Sequence, residues 1–260
     1  MRGVKASLAG LLLLLAPQVQ AADLAAHVAQ YKLSLETSKG DVAAGSGTMT
    51  YEIIDACDGW AVRQRLAMVL TNRDGQDIRS VSDYTTFETK DGLSMRFRSH
   101  QLNDGESPED VAGEATLTAP GGAGKAVYTQ PKADTKTLPA GTLFPSTHTM
   151  RIIDAAQAGQ KFLSLPLFDG TSEAGGQFSS VVMSAWDKSP VPTKFGPLAT
   201  QPSGRVHIAF FDGDSDGSQP DYEVSMRYFA NGVADEMSMN FGDFVMSAKI
   251  EKLTINKPGC

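Results

Sequence analysis

The chain has 260 residues and a formal net charge of −7, from 23 Lys and Arg against 30 Asp and Glu. This acidic balance argues against nucleic acid and anionic lipid surfaces as partners, because both repel an acidic protein. The length suits one large domain or two small ones, and no linker or obvious fixed-period repeat requires a division.

The N-terminal segment has the pattern of a secretory signal peptide. Arg2 and Lys5 precede an apolar run over residues 8–16, and residues 19–21 offer small side chains for cleavage after Ala21. Neither this run nor any later stretch reaches the roughly 20 apolar residues that a membrane-spanning helix needs. We therefore predict a signal peptide over residues 1–21 and a soluble periplasmic domain over residues 22–260. Cleavage removes two basic residues and no acidic one, which leaves a charge of −9.

Both cysteines, Cys57 and Cys260, lie in the predicted mature chain. An even pair in an oxidising compartment predicts a disulfide bond. The bond closes a loop of 203 residues, which the loop-entropy model values at up to roughly 5 kcal/mol. Free thiols are the alternative, and the lack of a Cys-x-x-Cys spacing argues against redox catalysis.

Period-two alternation dominates the first half of the chain after one short segment, residues 22–30, that is compatible with a helix. Alternation over residues 49–53 and 60–70, around Asp58-Gly59, predicts a hairpin that residues 93–97 extend. The segment over residues 103–145 is rich in Gly, Pro, Asp and Thr, so we expect loops around short strands such as 126–128.

The second half begins with the clearest predicted helix, over residues 145–160. Pro145 suits a first helical position, and Gly159 lies near the end. Met150, Ile153 and Ala156 share one stripe of this helix. Further strands are predicted over residues 161–168, 177–186 and 205–211.

The last forty residues alternate most strongly. Asn231-Gly232 predicts a two-residue turn between strands 221–230 and 233–241, with both central residues at positive φ. The alternation then resumes at Phe244 and Met246 beyond a break at Gly242-Asp243.

Several short motifs resemble a single family. The main ones are Leu-Phe-Pro-Ser-Thr-His-Thr at residues 143–149, Ile-Asp-Ala-Ala at 153–156 and Leu-Phe-Asp-Gly at 167–170. Matching segments also occur at residues 24–35, 56–60, 220–233 and 241–244. Over essentially the whole mature chain, the sequence is similar to the EipB-like family of periplasmic envelope-integrity proteins.

The resemblance implies a mainly β fold, in which strongly bent antiparallel sheets form a spiral-like, open-barrel-like domain around a few short helices. It also implies a Cys57–Cys260 bond and a non-enzymatic role in the envelope of Gram-negative bacteria. A second likeness, to the open barrels of periplasmic lipoprotein carriers, is a fold analogy and does not by itself transfer function.

One acidic segment has the spacing of a calcium-binding loop. Its members are Asp212, Asp214, Asp216, Gly217 and Glu223. The flanking residues predict strands instead of the helices of an EF-hand, so we favour an acidic hairpin turn and keep calcium binding as the minor alternative.

Other site chemistry is weakly supported. His27, His100, His148 and His207 are scattered, and the spacing of Met226, Met237, Met239 and Met246 is more typical of a β core than of a copper site. No nucleophile elbow or phosphate-binding loop occurs. We therefore predict no catalytic residue, no metal and no cofactor.

Two non-catalytic functions remain. The first is an interaction module that binds envelope proteins or cell-wall components through loops and sheet edges. The alternative is a carrier that holds a lipid or acylated ligand in an apolar cavity, lined by methionines and by aromatics such as Phe178, Trp186, Phe210 and Phe229. An envelope hydrolase is a minor third alternative. The oligomeric state is left open.

Overall fold

The protein is described here by a computed structural model over residues 23–187, 189, 191–213, 219–257 and 259–260. In this part of the chain, fourteen strands form one antiparallel sheet. One α-helix connects the strand at one edge of the sheet to the strand at the other edge. The predicted signal peptide over residues 1–21 lies outside the described residues and stays a prediction. Among the residues that are described, no helix has the length and apolar character needed to cross a membrane.

The strands follow one another in two series. The first series is β1 (His27–Ser38), β2 (Val42–Asp55), β3 (Gly59–Asn72), β4 (Asp77–Thr89), β5 (Ser94–Asn103), β6 (Glu109–Leu117), β7 (Gly124–Gln130) and β8 (Asp134–Leu138). Helix α1 (Pro145–Gln157) follows. The second series is β9 (Phe162–Leu167), β10 (Gln177–Met183), a short 3-10 turn (Gly196–Leu198), β11 (Ser203–Asp212), β12 (Tyr222–Phe229), β13 (Ala234–Asn240) and β14 (Phe244–Ile255).

Each series is an up-and-down meander, and the pairing of β1 with β14 joins the two into one sheet. Strands β8 and β9 are the two edges. The sheet bends so far that Leu143, just after β8, forms a parallel bridge with Leu167 of β9. The sheet stays open beyond this contact, which confirms the predicted mainly β, bent and open-barrel-like architecture.

The core lies on the concave side of this bend. In β1 the buried residues are His27, Ala29, Tyr31 and Leu33, and the residues between them face outward. Helix α1 places Ile152, Ala155 and Ala156 in the main apolar cluster, together with inward side chains from strands of both series. Its neighbour Ile153 packs in a second cluster with Trp60 and Val62 of β3. The sheet therefore wraps around the helix.

The two helix predictions had opposite outcomes. Helix α1 is confirmed, with Pro145 in its first turn and Gly159 at a φ of +81° just beyond its end. The helix expected over residues 22–30 is wrong, because β1 begins at His27 and pairs with both β2 and β14. Pairing on both sides over residues 27–34 provides partners for the backbone of β1, and this outweighs the weak helical preference of the alanines.

Residues 103–145 contain more strand than the sequence suggested. They hold β6, β7 and β8, whereas only a piece of β7 was predicted. Glycine is required inside this region, because a Cβ on Gly113 would lie 2.2 Å from the carbonyl oxygen of Val127. A glycine at an inward position hides the alternation by which a strand is recognised.

The turn between β12 and β13 also differs from the prediction of two residues at positive φ. Gly232 donates from its N–H to the carbonyl of Phe229 at 2.9 Å, and Phe229 donates to the carbonyl of Val233 at 2.9 Å. These bonds enclose three residues, 230–232. Gly232 has a φ of +84°, and Asn231 is not among the residues with positive φ. The turn is thus a type I turn followed by a left-handed glycine, the commonest three-residue hairpin connection.

Candidate functional site

The Cys57–Cys260 disulfide is present, with the two Cα atoms 5.6 Å apart. Cys57 lies in the turn between β2 and β3, and Cys260 lies five residues after the end of β14. Strand β1 lies between β2 and β14 in the sheet. The bond therefore joins the chain terminus to a turn on the far side of β1 and holds the junction between the two meanders.

The motif at residues 143–149 forms the N-terminus of α1, which is capped by a residue from the sheet. Glu88 of β4 accepts hydrogen bonds from the backbone N–H of Ser146 at 2.7 Å and of Thr147 at 2.9 Å. The Thr147 hydroxyl donates to the same carboxylate. Burial raises the pKa of Glu88, and these hydrogen bonds oppose the increase. A buried carboxylate thus satisfies backbone donors that no local side chain caps.

His148 connects the same helix to the opposite side of the sheet. Its Nε2 lies 2.8 Å from the hydroxyl of Ser179 in β10, and this hydroxyl donates to the carbonyl of Leu165 in β9 at 3.0 Å. His148 is therefore the donor to Ser179. Burial lowers the pKa of His148 to about 4, so the ring is neutral at pH 7.

This Ser–His pair does not have the arrangement of a nucleophile and a base. Ser179 is fully buried, and its hydroxyl proton points to a main-chain carbonyl. A nucleophilic serine would instead donate its proton to the histidine. The pair is a structural link between α1 and the edge hairpin β9–β10.

The motif at residues 167–170 is also structural. The carboxylate of Asp169 accepts from the backbone N–H and the hydroxyl of Thr171, at 3.0 and 2.8 Å, and from Gln177 at 2.5 Å. The Tyr84 hydroxyl donates to the Asp169 carbonyl at 2.6 Å. Gly170 has a φ of +71°, and a Cβ there would lie 2.4 Å from the Phe97 ring. The tight turn brings β4 and β5 against the chain that follows β9.

The concave face is filled by side chains. Its buried methionines are Met49, Met68, Met95, Met183, Met226, Met237, Met239 and Met246. Of the aromatic residues suggested as cavity lining, Phe229 is fully buried, and Trp186 and Phe210 pack against the main cluster. The prediction that Phe178 lines the cavity is wrong. Its side chain is 44% exposed, because the register of β10 directs the neighbouring Ser179 inward. Flexible methionines fill the space around α1.

Two hollows lie on the outer face of the sheet, on either side of β1. The first, of about 590 Å³, is lined by residues of β1 to β4 that include Lys32, Ser46 and Arg79. The second, of about 720 Å³, lies over β12 to β14 and includes Ser238 and Lys249. Both contain polar and charged side chains, in contrast to the apolar concave face.

One wall of the second hollow is a network of ion pairs. Arg227 binds Asp235 through two hydrogen bonds of 2.8 Å and contacts Glu236 at 2.8 Å. Arg205 also pairs with Glu236, which has a φ of +50° although it is not a glycine. A bulge in β13 accompanies this arrangement, because Glu236 and Met237 of β13 lie opposite the single residue Met226 of β12. The network neutralises the acidic side of the hollow.

The histidines stay apart, and each has a local partner. His27 contacts the Ala25 carbonyl, and His100 contacts Asp110. His207 lies between Ser225 and Glu223 on the outer face. Within the described ranges, no group of three His, Cys, Asp or Glu side chains is arranged to hold a metal ion.

The predicted acidic hairpin has the expected strands, β11 and β12, with Phe210 opposite Tyr222. Asp214, Asp216 and Gly217 of the acidic segment lie outside the described residues. At its end, Glu223 accepts a hydrogen bond of 2.7 Å from Asn240 of β13. At its start, the Asp212 N–H donates to Asp221 at 2.8 Å. The two ends of the acidic segment therefore form hydrogen bonds within the sheet region.

Comparison with known proteins now identifies the family. The sequence profile named EipB-like matches residues 18–257, which is nearly the whole chain. The chain belongs to the EipB-like family. It is 32% identical over 263 residues to a protein named cell envelope integrity protein EipB from Brucella abortus (strain 2308), and the match covers 94% of this chain and 91% of that protein.

A solved structure agrees with this membership. It is described as a β-barrel-like protein of a domain of unknown function, also from Brucella abortus, and it superposes with a TM-score of 0.82 at 30% identity. The superposition covers 91% of this chain and all of the other chain. In this EipB-like protein, the motifs that carried the resemblance lie at the helix N-terminus and in the turn after β9. The side chains of these motifs make contacts that hold the sheet around α1.

Proposed function

We propose that this protein is a non-enzymatic periplasmic protein that maintains the cell envelope by binding another envelope component, either a protein or cell-wall material. The observation that carries the proposal is membership of the EipB-like family over nearly the whole chain, with a relative named for cell envelope integrity. The predicted signal peptide supports a periplasmic location.

The distribution of side chains supports binding at the surface. The concave face is occupied by α1 and by buried methionines, whereas the hollows with charged and polar walls lie on the outer face. The buried Ser179–His148 pair is arranged as a structural contact. A protein that acts through contacts needs an accessible, chemically varied surface and a rigid frame, and both are present.

A deletion strain tests the proposal. Removal of the gene should make cells more sensitive to detergents and to cell-wall antibiotics, and the intact chain should restore resistance. A chain without residues 1–21 should not restore it, because it stays in the cytoplasm. Unchanged sensitivity in the deletion strain, or full rescue by the leaderless chain, would contradict the proposal.

The carrier alternative rests on a different observation. Phe210, Tyr222, Phe241 and Phe244 form a chain of ring contacts, with centroid separations of 5.9, 5.3 and 5.1 Å, and are only partly buried. They form an apolar area at the margin of the core to which an acyl chain could bind. Titration of the purified protein with a fluorescent fatty acid tests this alternative. Saturable binding that Phe241→Ser abolishes supports a carrier, and the absence of binding removes it.

A further inference from the structure

The two outer hollows form one continuous surface. Strand β1 lies between them, and its outward residue Lys32 pairs directly with Lys249 of the second hollow. Two residues further along β1, on the same face, Ser34 pairs with Ser247, and their hydroxyls lie 3.0 Å apart. The hollows are therefore halves of a single groove that runs across the strands.

The groove carries cations that have no acidic partner. Lys32 and Lys249 lie directly opposite each other, although like charges at such positions destabilise a sheet. Within the described residues neither lysine forms an ion pair, and the same is true of Arg79 at the far end. Two adjacent lysines without a paired carboxylate leave a local positive charge on this face, although the protein has a net charge of −7.

In the part of the chain that the structure describes, the acidic residues of the groove form no ion pair with these lysines. Asp235 and Glu236 pair with arginines, and Glu36 stays charged but accepts a hydrogen bond of 2.9 Å from Ser238. Glu251 lines the first hollow but makes no ion pair with Lys32 within the described residues. The lysine pair thus remains available to a carboxylate or another anionic group.

The floor of the groove is lined by hydroxyl groups at regular intervals. Five serines on neighbouring strands are direct partners, in the order Ser225, Ser238, Ser247, Ser34 and Ser46. Neighbouring strands lie about 4.8 Å apart, which is close to the advance of one ring in an extended β-linked sugar chain. An extended peptide fits this spacing less well, because it advances about 3.3 Å per residue.

We propose that this groove binds a carboxylate-bearing glycan strand of the cell wall, with its hydroxyl and amide groups on the serines and its carboxylates at Lys32 and Lys249. The inference rests on the proposed function and names the partner. Phe195, which lines the second hollow, offers an apolar surface against which a sugar ring can pack.

Pelleting with purified, protein-free cell-wall sacculi tests the inference with the full mature protein. The double variant Lys32→Gln/Lys249→Gln should bind about tenfold more weakly than the wild type. The matched control Lys125→Gln/Lys161→Gln removes the same charge from exposed positions outside both hollows and should bind like the wild type. Thermal stability should be unchanged or higher in the groove variant, because the like-charge contact is relieved.

A blocking variant and a competitor sharpen the test. Ser34→Trp places a large side chain between the two hollows and should abolish pelleting, and a soluble carboxylated polysaccharide should compete with sacculi for the wild-type protein. Equal pelleting of the groove and control variants would overturn the inference. Competition by polyglutamate but not by the polysaccharide would also overturn it, in favour of an acidic protein partner. Failure here with an intact deletion phenotype would leave the proposed function standing.

Discussion

Two buried titratable side chains hold helix α1 from opposite sides of the bent sheet. Glu88 caps the helix from β4, and His148 extends from the helix to Ser179 of β10. Burial acts on the two groups in opposite directions: it raises the pKa of the carboxyl and lowers the pKa of the imidazole. Both shifts favour the neutral form, which is the form that a closely packed interior accommodates at the lowest cost.

Acidification should therefore destabilise the protein through His148. The pKa of this side chain is about 4 in the folded state, below its ordinary value of 6.5. Between these values the unfolded state binds more protons, so stability is fully present above pH 6.5 and is lost as the pH falls toward 4. His148→Gln removes this titration and should reduce the difference in unfolding free energy between pH 7 and pH 4 by about 3 kcal/mol. Urea unfolding at both pH values measures it, and parallel pH dependences for variant and wild type would contradict the assignment.

The cap should be measurable by an isosteric change. Glu88→Gln leaves one oxygen to accept two backbone N–H groups, so the unfolding free energy at pH 7 should fall by about 1–3 kcal/mol. Glu114→Gln, an exposed change on β6, is the matched control and should stay within about 0.5 kcal/mol of the wild type. Equal stability of the two variants would show that Glu88 does not support the helix.

At the scale of single residues, the sequence predicted the features that depend on the chemistry of one residue type. Two cysteines in a chain predicted to be exported indicated the Cys57–Cys260 bond, and Pro145 predicted the helix start. It did not predict Glu88, because the carboxylate and the helix that it caps are 58 residues apart and only the curvature of the sheet brings them together. Nor did the isolated position of His148 reveal a contact with Ser179, 31 residues away.

Among the elements, the hairpin β12–β13 shows how local sequence and tertiary contacts combine. The Asn231-Gly232 signal correctly predicted a reversal, but the turn has three residues and requires positive φ only at the glycine. The strands of residues 103–145 escaped prediction because glycines interrupt their alternation where neighbouring strands approach closely. Such approaches are set by the bend of the whole sheet, which a local pattern does not contain.

Gly232→Val should be more harmful than the same change at Gly242. The two glycines have φ values of +84° and +86°, so both valines suffer backbone strain of about 1–3 kcal/mol. A Cβ at Gly232 would also lie 2.5 Å from Leu24, whereas Gly242 is open. The Gly232 variant should lose roughly a further 1–3 kcal/mol through overpacking. Thermal unfolding of the two variants measures the difference, and equal melting temperatures would contradict the packing at Leu24.

Loss of the disulfide should loosen the junction of the two meanders and leave the rest of the sheet folded. Cys260→Ser should lower the unfolding free energy by roughly 2–5 kcal/mol under oxidising conditions. Hydrogen exchange should increase mainly in the last residues of β14 and in the turn around Cys57. Two free thiols in the wild-type protein, found by intact-mass measurement without reductant, would refute the bond.

For the whole molecule, a bent sheet around a helix leaves the concave side occupied and the outer side available. In the described part of the chain, fourteen strands in one open sheet create a large outer surface, and helix α1 with eight buried methionines fills the interior. A lipoprotein-carrier-like barrel would need this interior to be hollow. The fold class was predictable because alternation and the family motifs extend over the whole chain. Whether an alternating apolar face encloses a cavity depends on side-chain packing, which alternation does not specify.

Native mass spectrometry of the protein purified from the periplasm tests the filled interior most directly. We expect one species with the mass of residues 22–260, reduced by the two hydrogens lost in a single disulfide, and without additional bound mass. A reproducible extra mass that is released on denaturation, is identified as a lipid and persists in Phe241→Ser would contradict this account, because the lipid would then occupy the concave side and not the aromatic area at its margin.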